Sequence, residues 1–419
     1  MNGLTIHKDT KLEPKVYLLP EGITIDSDNV TLDGHGATII GAGKADSQGI
    51  RIFGRKNIII KNLRVLNYYH GISVKKSAGI EISHCSFTLT TEIQANTLFL
   101  DIWKPATDSY GGGIFLEQVM DASIHDNDLQ HQMNGLLSYQ CKRLNVTNNL
   151  ANYCSGFGFH VFETCDSTFA NNYADYCCRY YLSNASSHLG ADAAGFLIIY
   201  KSCNNVFRKN FARLGGDGFF LAGLTPDGID VGCNNNLFEE NDASYSPNNA
   251  FEGVFSKGNV YQSNKANHSN YGFWLGFSSD CMLKDNQIYN NRQAGIAVEN
   301  GIHFKVLGND IQNNTHGVLI WTRSYDFLKK VPDMNATSHD WLIERNKLIQ
   351  NKKAIRIAAN QDHGIRTLGK ETSSSLPNHH VIQSNEIRGN IIGIELEKAK
   401  DTQMEQNMLN NLITDLDEK

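Results

Sequence analysis

The chain carries a short repeat in which an apolar residue, two further residues and an asparagine are often followed by another apolar position. Segments such as FEENDAS, LKDNQIY and VLGNDIQ show the pattern, and undisturbed copies are 22 or 23 residues apart. Asparagine suits a tight bend, because it tolerates positive φ and satisfies backbone groups with its side chain. The repeated asparagines are Asn62, Asn127, Asn149, Asn172, Asn210, Asn241, Asn264, Asn286, Asn309, Asn346, Asn385 and Asn407.

A second marker, a glycine followed by an apolar residue, opens a strand-like segment 8 or 9 residues after most of these asparagines, as in GISV, GIAV and GVLI. Alternation places the residue after the glycine inside and the next one outside. Repeats of this length are typical of solenoids, and the pattern predicts an all-β, right-handed parallel β-helix of about 13 coils. We expect one domain over 1–419, with a cap and first coil in 1–48, repeat coils in 49–407 and a C-terminal end in 408–419.

Insertions interrupt the regular spacing at both ends of the glycine-marked strand. The gap from the repeated asparagine to the next glycine grows to 23 residues before Gly195 and to 12 before Gly253, and it reaches 28 before Gly113, counted from Cys85, which takes the place of an asparagine. The spacing from the glycine to the next repeated asparagine also grows, after Gly218, after Gly317 and after Ala354, which takes the place of a glycine. Insertions in solenoids tend to fall on the binding face, so these loops are expected to wall a groove over the outer face of that strand.

Aromatic residues occupy outward positions on this strand, where a solvated face would be polar. Phe220, Phe255, Trp274 and Trp321 are the candidates for substrate binding. Aromatic rings can stack on the apolar faces of sugars, by analogy with aromatic pairs. The loops could equally bury these rings as a small second core, and the sequence leaves both interpretations open.

Two carboxylic residues, Asp217 and Glu252, each precede a glycine marker in successive coils. Equivalent positions in adjacent strands lie about 4.8 Å apart, and carboxyls that close differ in proton affinity. Glycoside hydrolysis uses such a pair as acid and base or nucleophile. Asp192, one coil earlier, and His160, which is predicted to face outward, are further catalytic candidates.

The long insertions supply the remaining candidates. Arg179, Tyr180, Tyr181, His188 and Lys201 lie in or near the 173–194 insertion and are expected to contact substrate. A lyase or epimerase would instead use His160 or Tyr180 as a base toward a uronate, with Arg179 or Lys201 neutralising its carboxylate.

The loop LTPDGIDVG contains Asp227 and Asp230, which are candidate calcium ligands because Ca²⁺ prefers carboxylate oxygens. No other cofactor is expected.

The net charge of −6 excludes the basic footprint of a nucleic-acid-binding protein. The first residues, MNGLTIHKDTKLEPKVYLLPEG, lack the basic and apolar regions of a secretion signal, which favours a cytoplasmic location. No run of 18 apolar residues predicts a membrane span. The oligomeric state is left open by these patterns.

Coils such as GIAVENGIHFKVLGNDIQNN and GFWLGFSSDCMLKDNQIYNN resemble the pectin-lyase-like superfamily. They are most similar to its short-repeat group, which includes nitrous-oxide-reductase accessory proteins and mannuronan C5-epimerases. The resemblance covers nearly the whole chain and implies an oligosaccharide or polysaccharide substrate. The Asp-Pro-His motif of the epimerases is absent, because ADAAGF has the aspartate without the histidine. No catalytic role therefore transfers by residue.

The leading hypothesis is a glycoside hydrolase. The alternatives are a polysaccharide lyase or uronate epimerase, and a non-catalytic carbohydrate-binding protein.

Overall fold

The computed structural model describes residues 3–94, 98–182, 187–189, 193–323, 336–359 and 376–418. They form two compact units, 1–216 and 217–419. Each unit is a stack of coils in which short strands repeat in the same order and pair in parallel with the coils on either side. The predicted parallel β-helix is confirmed in each unit.

Among the described residues of the first unit, three parallel sheets run along the stack, and one antiparallel hairpin and one short 3₁₀ helix accompany them. The first sheet contains Leu4–Ile6, Ile23–Ile25, Gln48–Phe53, His70–Lys75, Gly112–Glu117, Leu136–Tyr139, Phe157–Phe162 and Ala194–Ile199. The second contains Thr10–Lys11, Val30–Asp33, Lys56–Lys61, Ala78–Ser83, Met120–His125, Lys142–Thr147, Thr168–Ala170 and Val206–Arg208. The third contains Val16–Leu18, Thr38–Ile40, Arg64–Leu66 and Ser86–Thr88. The hairpin is Tyr180–Leu182 with Ser187–Leu189, and the 3₁₀ helix is Ala106–Asp108.

The second unit repeats the three-sheet plan. Its first sheet contains Asp217–Ala222, Asn249–Val254, Tyr271–Trp274, Ala294–Glu299, His316–Trp321, Lys353–Ala358, Ile392–Glu397 and Thr414–Glu418. Its second contains Leu237–Glu239, Val260–Gln262, Met282–Lys284, Lys305–Leu307, Leu342–Glu344, Val381–Gln383 and Gln403–Glu405. Its third contains Gln287–Tyr289, Asp310–Gln312, Lys347–Ile349, Glu386–Arg388 and Met408–Asn410.

The core lies inside the coils, where similar side chains of successive coils stack on one another. In the second unit Phe251 lies between Phe219 and Phe273, with ring centroids 5.0 and 4.9 Å apart. Phe238 stacks on Tyr261 at 4.9 Å, nearly at right angles to the first column. Parallel in-register pairing brings the same position of every coil together, so an inward aromatic residue is extended into a continuous column.

Within each unit the repeated asparagines form the predicted ladder, with the exception of Asn62. The side chain of Asn62 is exposed and donates to Asp33 Oδ1 at 3.1 Å instead, so its placement in the ladder is wrong. The side-chain Oδ1 of Asn286 accepts the backbone N–H of Asn264 at 2.8 Å and its side-chain amide at 3.1 Å. The Nδ2 group of Asn286 donates to the carbonyl of Tyr261 and to Oδ1 of Asn309, both at 2.9 Å. The Asn286 side chain therefore satisfies two backbone groups of the preceding coil and donates to the asparagine of the following coil, at the bend after the second sheet.

A buried ion cluster lies on the outer face of the first sheet in the second unit. Glu395, whose side chain is 1% exposed, contacts the guanidinium of Arg356 and lies 2.9 Å from Lys353 Nζ. Arg356 also reaches Glu397 at 2.6 Å, and the side chain of Glu397 is 30% exposed. Arg356 and Glu395 are paired in register in adjacent strands, so their charges compensate each other where water is excluded.

The described residues contain no α-helix. Accordingly, nothing in this part of the chain is a helix with the length and apolar character needed to cross a membrane.

Candidate functional site

Asp217 and Glu252 lie close together on the outer face of the first sheet, but they do not occupy equivalent positions. Glu252 pairs with Phe220 in register, three residues further along the strand than predicted. The small residue at the start of this strand is Ala250, not Gly253, and the neighbour of Asp217 is Asn249. The predicted equivalence of the two carboxylic residues is therefore wrong, although their proximity is present.

The Asp217 carboxyl is almost fully enclosed, with 1% of the residue exposed. Its Oδ1 accepts the backbone N–H of Asn249 at 2.8 Å, and its Oδ2 accepts the side-chain amide of Asn248 at 3.3 Å. Burial and, secondarily, the charge of Glu252 raise the pKa of Asp217 well above its usual value. These two effects outweigh the amide hydrogen bonds, which favour the ionised form.

The Glu252 carboxylate is the more accessible member of the pair. It is partly buried, and its Oε2 accepts the side-chain amide of Asn249 at 2.5 Å. Asn249 thus touches both carboxyls, through its backbone toward Asp217 and through its side chain toward Glu252. The arrangement places a carboxyl of raised pKa and a second, hydrogen-bonded carboxyl group on either side of one residue.

The two predicted aromatic contacts nearest this pair have different outcomes. Phe220 lies on the outer face, partly exposed and paired with Glu252. Phe255 does not face outward from the strand, because the strand ends at Val254. Phe255 instead adopts a positive φ in the following turn and stacks on Phe277 at 4.7 Å, so its placement in the groove is wrong.

Trp274 and Trp321 belong to a second hydrophobic core on the outer face. They pack 5.5 Å apart, centroid to centroid, in a cluster with Tyr271 and Leu319. Trp274 is 6% exposed and Trp321 is fully buried. The interpretation as open stacking platforms is therefore wrong for these rings, and the alternative of a second core is confirmed.

His160 lies on the outer face of the first unit, as its alternation predicts, but it is enclosed by aromatic rings. Its ring centroid is 5.2 Å from that of Tyr139 and 5.4 Å from that of Phe157. Burial lowers the pKa of His160 to about 3, and neither ring nitrogen has a hydrogen-bond partner among the described residues. His160 therefore faces outward as predicted but is enclosed by aromatic rings rather than open to a groove, and its role as a base remains a prediction.

The insertion residues are placed only in part. Arg179 is buried and donates from Nη2 to the carbonyl of Leu98 at 3.3 Å. Lys201 is exposed in a positive-φ turn. The backbones of Tyr180, Tyr181 and His188 lie in the antiparallel hairpin, where Tyr181 pairs with His188. The side chains of these three, and Asp192 altogether, lie outside the described residues.

Asp227 and Asp230 are both exposed, and Asp230 Oδ1 accepts the backbone N–H of Gly232 at 3.0 Å. Neither belongs to a group of three metal-ligating side chains among the described residues. Their role in binding calcium remains a prediction.

Sequence reasoning did not single out a polar pocket of about 420 Å³ in the first unit, on the outer face of its first sheet. Tyr69, His70, Lys75, Lys104 and Phe115 are among the lining residues. Burial and the nearby Lys75 lower the pKa of His70 to about 3. The available signal was His70 itself, which directly precedes the marker Gly71.

The parallel β-helix of the structure agrees with the family model that matches the sequence. The model of the right-handed β-helix region matches residues 106–226 and 221–329, which is more than half of the chain. The chain belongs to the right-handed β-helix family. No curated protein matches this β-helix protein.

Several solved structures are similar to this β-helix protein. The A-module of mannuronan C-5 epimerase AlgE6 from Azotobacter vinelandii is 13% identical, with 98% of this chain and 91% of that chain covered and a TM-score of 0.46. PfbA, a surface adhesin of Streptococcus pneumoniae, is 12% identical, with 77% and 84% covered and a TM-score of 0.44. DFA-IIIase from Arthrobacter chlorophenolicus A6 without its lid is 13% identical, with 66% and 69% covered and a TM-score of 0.38. These structures include an epimerase and an adhesin, and TM-scores below 0.5 support no conclusion about the activity of this chain.

Proposed function

We propose that this β-helix protein is a carbohydrate-active enzyme, specifically a glycoside hydrolase acting on an oligosaccharide or polysaccharide. The observation that carries the proposal is the Asp217–Asn249–Glu252 arrangement, in which burial and a neighbouring carboxylate raise the pKa of Asp217. A carboxyl kept protonated beside a second carboxylate is the pairing that glycoside hydrolysis requires.

Asp217 would protonate the oxygen of the leaving sugar, since it holds its proton at a pH where an ordinary aspartate has lost it. Glu252, the more accessible carboxylate, would act on the opposite side, either on the anomeric carbon or on an attacking water. Asn249 fixes the Glu252 carboxylate by a hydrogen bond and orients Asp217 through its backbone. Phe220, partly exposed and in register with Glu252, supplies an apolar face beside the pair.

Replacing either carboxyl should abolish most turnover while leaving the fold intact. Asp217→Asn and Glu252→Gln are nearly isosteric, and each is expected to lower kcat at least about 100-fold, the lower end of what a positioned acid or base contributes. The measurement is the release of reducing ends from a panel of neutral and uronic-acid oligosaccharides. Asp285→Asn, at an exposed acid of the same unit that belongs to no proposed site, is the matched control and should keep full activity.

Other outcomes identify other functions. Products with ultraviolet absorbance from an unsaturated sugar would indicate a lyase, and saturable sugar binding without turnover in the unaltered protein would indicate a binding protein. Near-full hydrolysis by both carboxamide variants would contradict the assignment of the pair. Loss of activity only in Glu252→Gln would make Asp217 a positioning residue.

The raised pKa of Asp217 also predicts a pH-dependent stability that can be measured without a substrate. The folded state holds this proton more tightly than the unfolded chain, whose carboxyl has the ordinary pKa of 3.8. The contribution of Asp217 is therefore most favourable below that value, and it declines as pH rises toward the raised pKa. Denaturant melts between about pH 4 and about pH 8 should show Asp217→Asn gaining stability relative to the unaltered protein as pH rises. A difference that does not vary with pH would contradict the raised pKa.

A further inference from the structure

Away from the carboxyl pair, His303, His339 and Asp340 converge on one edge of the second sheet in the second unit. One ligand atom from each lies within 4.8 Å of those of the other two. His303 Nε2 is 3.5 Å from Asp340 Oδ2, and His339 Nδ1 is 2.5 Å from the same oxygen. The three side chains are partly or fully exposed, so the cluster is open to an ion from solvent.

The backbone brings this cluster together by register. Asp280, His303 and Asp340 occupy the same turn position in successive coils, since Asp280 N donates to the carbonyl of Ile302 and His303 N to that of His339. All three have φ between 54° and 58°. Identical turn geometry in neighbouring coils stacks these side chains, and His339 joins them because it directly precedes Asp340.

Asp280 gives His303 a defined orientation. Its Oδ1 lies 3.2 Å from His303 Nδ1, and Lys257 Nζ lies 3.5 Å from its other oxygen. With the proton on Nδ1 donated to Asp280, the Nε2 lone pair of His303 points to the side where Asp340 lies. A carboxylate that holds one ring nitrogen while the other binds metal is the usual support of a histidine ligand.

We propose that His303, His339 and Asp340 bind a divalent transition-metal ion of the Zn²⁺ type, with Asp280 as the residue that positions His303. Two imidazoles and one carboxylate favour such an ion over Ca²⁺ or Mg²⁺, which prefer all-oxygen sites. Three protein ligands leave a fourth position for water. The bound ion would link the coils that contain His303 and Asp340.

The same construction occurs once more, in the first unit, with His84, His125 and Asp126. There too a histidine is followed in the next coil by a His-Asp pair, and the two imidazoles are nearly perpendicular, at 86° in both clusters. Within the described residues His84 has no ion pair comparable to that between His303 and Asp280. We therefore expect the second-unit cluster to bind the metal more tightly.

The test uses the full chain carrying His125→Ala, so that the first-unit cluster cannot contribute. Metal-depleted protein is titrated with Zn²⁺ against a competing indicator dye and with Co²⁺ followed by visible absorbance. We expect one saturable equivalent, with a cobalt spectrum that shows nitrogen ligation. His303→Ala and His339→Ala should abolish this equivalent, and Asp280→Asn should weaken it about 10–100-fold, the usual effect of losing such a partner.

His268→Ala is the matched control, because His268 is an exposed histidine of the same unit with a similar positive φ. It should bind as the parent does, and Asp280→Glu should restore part of the affinity lost in Asp280→Asn. Circular dichroism verifies the fold of each variant. Absence of a saturable equivalent, or unchanged affinity in both His303→Ala and His339→Ala, would overturn the site.

Discussion

Replacing Asn286 by leucine should lower the free energy of unfolding by about 3–5 kcal/mol, because three buried polar groups each lose a hydrogen bond, at roughly 1–3 kcal/mol each before relaxation. These groups are the backbone N–H of Asn264, its side-chain amide and the carbonyl of Tyr261. Leucine has a similar volume but forms no side-chain hydrogen bond. The stability is therefore lost through unpaired polar groups rather than through a change in packing. Denaturant melts of both proteins measure the difference.

Asn407 provides the matched control for Asn286, since it belongs to the same ladder but is partly exposed. Water can replace its hydrogen bonds, so Asn407→Leu should cost about 1 kcal/mol or less. If the two variants lose the same free energy of unfolding, burial does not determine how much each asparagine of the ladder contributes to stability. An unchanged midpoint for Asn286→Leu would mean that the ladder is not structural.

Removing the carboxylate of Glu395 should cost about 3–5 kcal/mol, because Arg356 and Lys353 would each lose a buried anionic partner. Glu395 is 1% exposed, and both cations contact it. The measurement is a denaturant melt of Glu395→Ala. Glu397→Ala is the control: Glu397 also pairs with Arg356 but is 30% exposed, and its loss should cost about 1 kcal/mol or less.

A double variant separates the charge from the space it fills. Glu395→Leu combined with Arg356→Leu removes one buried charge of each sign, and it should recover much of the stability lost in Glu395→Ala. If the double variant is as unstable as the single one, lost packing rather than unpaired charge accounts for the effect.

The sequence predicted the fold well because it repeats, and the error at Glu252 has a local cause. The strand there opens at Asn249–Ala250, but FEGVF offers a glycine three residues later that imitates the marker. Ala250 is the second residue of its strand, and Ala354 holds the same position in a later coil. Glycine is therefore common at this position but is not required. A strand register assigned from glycine alone is therefore wrong wherever alanine replaces the glycine near the start of the strand.

Alternation predicts which way a side chain points but not what covers it. Trp321 faces outward as predicted and is nevertheless fully buried. His160 faces outward among rings that also face outward. Whether such a face meets solvent depends on tertiary contacts between coils and loops, and no repeat within the strands encodes those contacts. The proximity of Asp217 and Glu252 could be predicted, whereas their joint contact with Asn249 could not.

The asparagine ladder also shows how little an insertion disturbs this architecture. Ladder neighbours are usually 22 or 23 residues apart, but Asn309 and Asn346 are separated by 37 residues and keep the same bonds at 2.8 and 3.0 Å. Loop-closure entropy grows only with the logarithm of length, so this longer excursion costs about 0.5 kcal/mol. New loops can thus be acquired between coils at a small entropic cost, and selection can diversify what surrounds the outer face while every coil keeps its register.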